Sequence, residues 1–200
     1  MTDEPTCTAF AGFQRIASGN LADVAIAVKE FVDRDERTSV LVFDDATSRQ
    51  VELDVRGSRE DVERRMRRTA DGATVTARRS AGRPKLGVVA REVTLLPRHW
   101  EWLNRQSGGA SVALRKLVEE ARRTNAGRDR VRHAQEVAYR FMSALAGNLT
   151  GYEEATRALF AADGARFERY VGAWPADVGT HVKRLASAAF TDPGPADTQT

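Results

Sequence analysis

The stretch from residue 86 to residue 124 constrains the fold more than any other part of the chain. Val93 and Leu95 alternate with Thr94, which is typical of a half-exposed β-strand. Pro97 ends this strand, because its fixed φ suits the first turn of a helix. The stretch therefore begins with a predicted strand that leads directly into a predicted helix.

Two helices separated by a glycine turn complete this stretch. Trp100 and Leu103 lie three residues apart on one face of the first helix. Gly108-Gly109 ends that helix, since glycine takes a positive φ without steric cost. Ser111 is a suitable N-cap for the second helix. The apolar stripe predicted for that second helix consists of Leu114, Leu117, Val118 and Ala121.

This order of strand, helix, turn and helix resembles the ribbon-helix-helix family of DNA-binding proteins. The resemblance implies that the strand pairs with its twin from a second chain, and that this ribbon enters the major groove. It therefore implies a homodimer joined through Glu92 to Leu96. The alternative is that helices from 128 to 190 complete the core within one chain, which leaves a monomer.

The outward face of this strand decides how well it could read bases. If Val93 and Leu95 face the core, then Glu92, Thr94 and Leu96 face outward. Glutamate and leucine read base edges poorly compared with Arg, Lys, Asn, Gln or Thr. A shift of one residue would expose Arg91 in place of Glu92. The sequence therefore predicts weak discrimination between DNA sequences.

A second resemblance covers the chain from about Thr8 to Phe190. It is carried by three segments, FAGFQRIASG, GRPKLGVVAREVTLLPRHWEWL and WPADVGTHVKRLA. These resemble a bacterial family named domain of unknown function 2239. The resemblance implies a soluble bacterial protein without an established activity, and it supplies no catalytic residues.

The composition bounds the class of protein. No run of about 18 apolar residues exists, so no membrane span is expected. The N-terminus, MTDEPTC, is acidic and is followed by no apolar stretch, so no secretory signal is visible. Cys7 is the single cysteine, which excludes an internal disulfide and fits a reducing compartment. We expect a cytoplasmic protein.

Charge is distributed unevenly along the chain. Residues 1–63 carry a net charge of −7, whereas residues 64–91 carry nine bases and one acid, a net charge of +8. Residues 92–140 add a further +4. This basic middle is the candidate surface for a polyanion. The alternative is that it docks on the acidic N-terminal part of the same protein.

The sequence predicts an α+β protein with a small α+β unit over residues 1–78. This unit begins with a strand or hairpin at Thr6–Ser18 and a helix at Leu21–Asp35 that Asn20 caps. Strands are predicted at Ser39–Phe43, as a central strand, and at 50–55, with a helix from Arg59 to about Thr69. A further short strand at Thr74–Arg78 would complete an order of β-α-β-β-α-β.

Residues 79–87 read as a basic linker, in which Gly82-Arg83-Pro84 resembles the core of a minor-groove AT-hook. The strand-helix-helix segment occupies 88–124, and helices fill 125–190. The first of these runs from about Arg128 to Ala146, and the next three are capped by Thr150, Asp163 and Asp177. Residues 191–200 are polar and rich in Pro and Gly, so they are predicted to be a disordered tail.

The residues show no constellation that an enzyme requires. His99, His133 and His181 lie on three different predicted helices, without metal-ligand spacing. The acidic residues Asp44 and Asp45 are typical turn formers. No phosphate loop, nucleophile elbow or dinucleotide fingerprint occurs. We therefore expect neither catalysis nor a cofactor nor a bound metal.

Two functions remain open from the sequence. The first is a DNA-binding, regulatory protein that acts on double-stranded DNA. The second is a non-catalytic protein-interaction module whose basic segment docks on protein. For the first, we expect DNA to be held by the free N–H groups at the start of the second helix and by basic residues near the ribbon. The residues predicted to contact DNA are Arg83, Lys85, Arg91, Thr94, Gly109, Ala110 and Ser111.

Overall fold

The computed structural model describes residues 6–35, 37–77, 89 and 91–191, and residues 69–77 by their backbone alone. The described elements are a three-stranded antiparallel sheet and seven α-helices, so the chain is an α+β protein, as predicted. They fall into two compact units, here called unit 1 and unit 2. Unit 1 combines residues up to 78 with residues 130–191, and unit 2 covers 79–129. The predicted linker 79–87 and all of the predicted tail except Thr191 lie outside the described residues.

Unit 1 begins with the predicted hairpin. Strand β1 (Thr6–Ala11) pairs antiparallel with strand β2 (Gln14–Asn20). The turn between them contains Gly12, whose φ of 55° lies in the left-handed region that glycine adopts without steric cost. Of the two alternatives predicted for Thr6–Ser18, a strand or a hairpin, the hairpin is therefore confirmed.

Helix α1 (Leu21–Arg34) follows β2 directly, and its start is the one that the sequence predicts. The side chain of Asn20 accepts a hydrogen bond from the backbone N–H of Asp23 at 2.9 Å. This bond satisfies one of the free N–H groups at the helix N-terminus. The buried side of α1 carries Val24, Ala25 and Val28.

Strand β3 (Val40–Asp44) completes the sheet, whose strand order is β2-β1-β3. The prediction that this segment is the central strand is wrong, because β1 pairs with both neighbours and occupies the centre. All of β1 except Thr6 is buried, as its central position requires.

The predicted strand at 50–55 is reduced to a single bridge. Phe43 pairs with Gln50, and the N–H of Val51 donates to the carbonyl of Val42 at 2.8 Å. Beyond this point residues 51–56 form no strand. Val51, Leu53 and Val55 instead pack against the apolar cluster under α1, so their alternation reflects burial without a backbone ladder.

Helix α2 (Arg59–Ala77) is longer than predicted. Its last turn occupies Thr74–Ala77, where the sequence predicts a strand, and that prediction is wrong. A helix satisfies its backbone N–H and C=O groups within itself, whereas a strand requires a neighbour in the sheet. The observed order in this part of the chain is β-β-α-β-α.

The two faces of the sheet carry two separate apolar clusters. On one face, Cys7 and Ala9 of β1 and Val42 of β3 pack with α1. On the opposite face, Phe10 and Phe43 pack with the C-terminal helices. Successive strand residues point to opposite faces, which explains how neighbouring residues join different clusters.

The C-terminal half is helical, as predicted, with different boundaries. Helix α4 (Gly109–Phe141) is one continuous helix where the sequence predicts two, and it is followed by a π-helical turn, Met142–Ala146. Gly127 lies inside it and does not break it, although glycine in a helix costs about 1 kcal/mol relative to alanine. The remaining helices are α5 (Tyr152–Phe160), α6 (Gly164–Val171), α7 (Ala176–Ala186) and a short 3₁₀ turn, Ser187–Phe190.

Of the three predicted caps in this half, one is confirmed. Asp163 accepts from the N–H of Arg166 at 3.0 Å. Thr150 is not a cap, because the chain enters α5 through Gly151 with a φ of 82°. Asp177 lies inside α7, and its carboxylate instead accepts from the N–H of Arg15 at 2.9 Å.

The C-terminal helices close the larger core around Phe141. The ring of Phe141 lies 5.2 Å from that of Phe10, 4.9 Å from that of Phe43 and 4.6 Å from that of His181, measured between centroids. Strands from the first quarter of the chain and helices from the last third therefore share one interior.

Unit 2 contains helix α3 (Pro97–Asn104) and the first part of α4. Pro97 is the first residue of α3, as predicted. Leu103 and Ala113 are the only buried residues in the part of unit 2 that the structure describes. None of the described helices, in either unit, is both long and apolar enough to cross a membrane.

Candidate nucleic-acid interface

The residues predicted to contact DNA fall into three groups in the structure. Arg83 and Lys85 lie outside the described residues. Arg91 and Thr94 are exposed in the coil that precedes α3. Gly109, Ala110 and Ser111 form the first turn of α4.

The predicted strand around Val93 and Leu95 is not a strand in this single chain. Residues 91–96 have no regular structure and pair with none of the described residues. A strand needs a neighbour to accept and donate its backbone hydrogen bonds, and the lone chain offers none there. Glu92, Val93 and Leu96 are all exposed, so the side chains are not divided into an inward and an outward face.

The start of α4 differs from the prediction in two respects. The helix begins at Gly109, so Ser111 lies within the helix and is not its N-cap. Gly108 and Gly109 have φ values of 87° and 75°, which lets the chain turn into the helix before Ser111. The N–H of Gly109 donates to the carbonyl of Gln106 at 2.9 Å, so this group is not free for a phosphate.

The described part of unit 2 contains exposed basic side chains that form no ion pair, beside Arg122 and Arg123, which pair with Glu119 and Glu120. Among the described residues, none of the following forms an ion pair: Arg91, Arg98, Arg105, Arg115 and Lys116. The acidic side chains of Glu92 and Glu101 are also exposed. The four basic residues beyond Arg91 were not singled out from the sequence, although the charge count of residues 92–140 includes them.

The basic residues of unit 1 have a different environment. Arg64 pairs with Asp61 at 3.3 Å, and Arg67 pairs with Glu63 at 3.6 Å. Arg65 lies 3.8 Å from the carboxylate of Asp54. The first arginines of the basic run 64–91 therefore lie beside acids of unit 1.

Large apolar side chains are exposed beside the basic residues of unit 2. Trp100 and Trp102 are 36% and 51% exposed, so neither is a core residue in the single chain. Leu103 fills the core position of α3, because α3 is too short to bury more than one face. The exposed apolar residues of unit 2 are Val89, Val93, Leu96, Trp100, Trp102, Leu117 and Val118.

The stripe predicted on α4 is helical but uncovered. Leu114 is half-buried, whereas Leu117, Val118 and Ala121 are exposed. A shallow groove of about 220 Å³ runs between α3 and the start of α4, with Trp102, Ala113 and Leu117 in its lining. Gln106, Ser107 and Lys116 form the rest of that lining.

The other candidate groups are dispersed. His99 is exposed on α3, and His133 Nε2 lies 3.1 Å from the carbonyl oxygen of Ala46. His181 is buried, and this burial, with the positive charge of Arg184 beside it, lowers its pKa to about 4. No group of three His, Cys, Asp or Glu side chains among the described residues could hold a metal ion.

The acidic turn and the cysteine have structural environments. Asp44 accepts hydrogen bonds from the N–H and the hydroxyl of Thr47 at 2.8 and 2.6 Å, as a turn former does. Burial raises the pKa of the Cys7 thiol, and the charges of Asp44 and Asp45 raise it further. A thiol with a raised pKa is a poor nucleophile at neutral pH.

Comparisons with known proteins identify one relationship. The model of a family described as an uncharacterised protein conserved in bacteria, DUF2239, matches residues 6–186. A search of curated proteins and a search of solved structures each give no match. The matched region includes both units, from β1 to the last turn of α7. The chain therefore belongs to the bacterial family of domain of unknown function 2239.

Proposed function

We propose that this protein binds double-stranded DNA without catalysis, that unit 2 provides the DNA-binding surface, and that it acts as a cytoplasmic homodimer. The observation that carries the proposal is the group of exposed basic side chains from Arg91 to Lys116, none of which pairs with a described acid. A basic side chain already held by a carboxylate gains little from a phosphate, whereas an unpaired one can neutralise it and release counterions.

The local structure supports a particular kind of contact. Arg91 precedes α3, Arg98 lies in its first turn and Arg105 follows its last residue. Arg115 and Lys116 lie in the second turn of α4. Contacts from such residues go to phosphates, which fix position and carry no sequence information. Thr94 is the exposed residue of the coil best suited to a base edge. The proposal is therefore binding that is strongly salt-dependent and weakly sequence-dependent.

The experiment measures duplex DNA binding by fluorescence anisotropy across a salt series. Each phosphate neutralised contributes about 0.9 to the slope of log K against log salt. The variant R91Q/R98Q/K116Q should therefore have a slope shallower by up to about 2.7. The matched control is R64Q/R67Q/R157Q, which removes the same charge from residues that form ion pairs in unit 1.

The control should keep nearly the wild-type slope, since its arginines are already neutralised by Asp61, Glu63 and Glu154. A second variant, R83A/K85A/R91A, tests the basic arm predicted from the sequence. Equal loss in the unit 2 variant and the control would show that only the net charge matters. Failure of the wild-type protein to retard duplex DNA at low salt would end the proposal.

The second candidate function is a protein-interaction module, favoured by the exposure of Glu92 and Leu96. An acidic and an apolar side chain at these positions suit a protein surface better than a DNA groove. This candidate predicts no binding to duplex DNA at any salt concentration. The same anisotropy series therefore separates the two candidates.

A further inference from the structure

Unit 2 has too little interior to be stable on its own. Its described part spans residues 89 and 91–129 and buries two apolar side chains, Leu103 and Ala113. Units of about 40 residues usually require a disulfide, a metal or oligomerisation to fold. The single cysteine, Cys7, lies in unit 1, and the described residues include no group of metal ligands. Oligomerisation is the remaining stabiliser of this kind.

The exposed apolar side chains of the described residues are concentrated in unit 2. Seven large ones lie there, and Phe13, Tyr139 and Phe160 are the three in the described part of unit 1. Six of the seven, Val93, Leu96, Trp100, Trp102, Leu117 and Val118, are here called collectively the apolar face. We propose that the apolar face is the surface that binds a second copy of this chain. The second copy covers the stripe on α4 and the two tryptophans of α3.

The area of the apolar face agrees with this occupant. A whole aromatic side chain has about 150–250 Å², so the exposed fractions of Trp100 and Trp102 amount to roughly 130–220 Å². The four aliphatic residues, each about half exposed, roughly double this area. An interface of ordinary size buries about 800 Å² per partner, of which somewhat over half is apolar. The face therefore supplies most of the apolar area that one side of a stable dimer requires.

The shape of the face favours a second copy over an unrelated protein. In a two-fold contact the same patch serves both partners, so it must provide both the protruding side chains and the space that receives them. The groove of about 220 Å³ lined by Trp102 and Leu117 can receive an apolar side chain, and Val118, the neighbour of Leu117 on α4, is exposed and can be inserted into such a groove. A segment that needs a partner to complete its core also needs one that is always present, and a second copy satisfies this.

This inference deepens the proposed function, since it rests on the homodimer in that proposal and names the surface that joins the copies. It places the contact on helical side chains of α3 and α4, whereas the sequence placed it on backbone pairing of Glu92 to Leu96. Its test does not involve DNA. A dimer that fails to bind DNA would leave the inference standing, and a monomer that binds DNA would leave only the DNA-binding part of the proposal.

The experiment is light scattering on the full chain at about 10 μM, with two matched double variants. L117E/V118E places two carboxylates on the apolar face, and Y139E/F160E places two on an exposed aromatic pair of unit 1. The four positions have similar exposures of 49%, 56%, 42% and 52%, respectively. Burying unpaired carboxylates is costly, so L117E/V118E should weaken the dimer by at least about 100-fold, while Y139E/F160E remains dimeric.

A cross-linking measurement guards against a variant that fails to fold. In a Cys7→Ser background, Val118→Cys should yield a covalent dimer with a short bismaleimide, and Phe160→Cys should not. A monomeric wild-type protein, a dimer that survives L117E/V118E, or equal cross-linking at both positions would overturn the inference.

Discussion

Arg184 of α7 donates a hydrogen bond to Oδ1 of Asp45 at 3.0 Å, across 139 residues of sequence. The same carboxylate oxygen accepts from the hydroxyl of Thr8 on β1 at 2.7 Å. One side chain in the turn after β3 therefore connects the centre of the sheet to the last α-helix. The carboxylate is 12% exposed and the guanidinium 54% exposed, so the two partners differ in how much they contribute.

This difference yields the first prediction. Asp45→Ala removes two hydrogen bonds from a largely buried site and should lower the free energy of unfolding by about 1–3 kcal/mol. Arg184→Ala removes a half-exposed partner that water replaces, and should cost less than about 1 kcal/mol. Urea denaturation of both variants measures the two values. An Arg184 variant that is the less stable of the two would contradict this account.

The second prediction concerns pH and His181. Burial and the charge of Arg184 lower the pKa of its imidazole from 6.5 to about 4. Between these values the unfolded chain binds a proton that the folded chain does not, so stability is complete above about pH 6.5 and declines as the pH falls towards 4. At about 1.4 kcal/mol per pKa unit, the total loss approaches 3 kcal/mol.

His181→Phe should abolish this part of the pH dependence, because the ring of Phe10 and that of Phe141 already surround the site. Denaturation curves recorded from pH 7.5 to pH 4 measure it. His99→Gln, at an exposed position, serves as the control and should retain the wild-type decline. A decline of equal size in His181→Phe would assign the effect to other groups.

The third prediction concerns the contact between α6 and α7 at Gly179. A Cβ atom at this position would lie 3.0 Å from the carbonyl oxygen of Val171, which belongs to the backbone and cannot move aside freely. Gly179→Ala should therefore lower stability by about 1–3 kcal/mol, although alanine favours helices. The exposed neighbour Thr180→Ala is the control and should change stability by less than about 0.5 kcal/mol. Thermal unfolding followed by circular dichroism distinguishes the two.

The fourth prediction tests the cap of α6. Asp163→Ala removes the acceptor for the N–H of Arg166 and should cost about 1 kcal/mol. Asp163→Asn retains an acceptor at the same place and should cost only a few tenths. If both variants lose the same amount, charge and not the hydrogen bond is responsible. Calorimetric unfolding temperatures of the two variants measure the difference.

Local chemistry was sufficient where the deciding contacts lie close in sequence. The hairpin at Gly12 and the caps at Asn20 and Asp163 each depend on residues within about four positions, and each was predictable. The α+β class was predictable for the same reason, because apolar periodicity is a local property.

Predictions failed where the structure of a segment depends on contacts with residues far away in the sequence. Residues 51–55 alternate like a strand, yet the sheet ends after one bridge at Gln50. The sequence predicts one helix up to residue 124 and another from about Arg128, whereas α4 runs through this region without a break. At the candidate interface, the exposed basic positions could be counted from the sequence. In unit 1, local spacing could not predict the ion pairs of Arg65 with Asp54 and of Arg59 with Glu30, because they span 11 and 29 residues.

The shared core of unit 1 has a consequence for synthesis of the chain. The ribosome adds Phe10 and Phe43 about 90 residues before it adds Ala134. Ala134 is the first residue of the helical part of that core. At roughly 5–20 residues per second, the ribosome needs on the order of 5–20 s to cover this interval, and longer to reach α7. Throughout that time the sheet face that carries Phe10 and Phe43 has no helices packed against it. We therefore expect a message truncated before α7 to yield an aggregating product and not a smaller folded one.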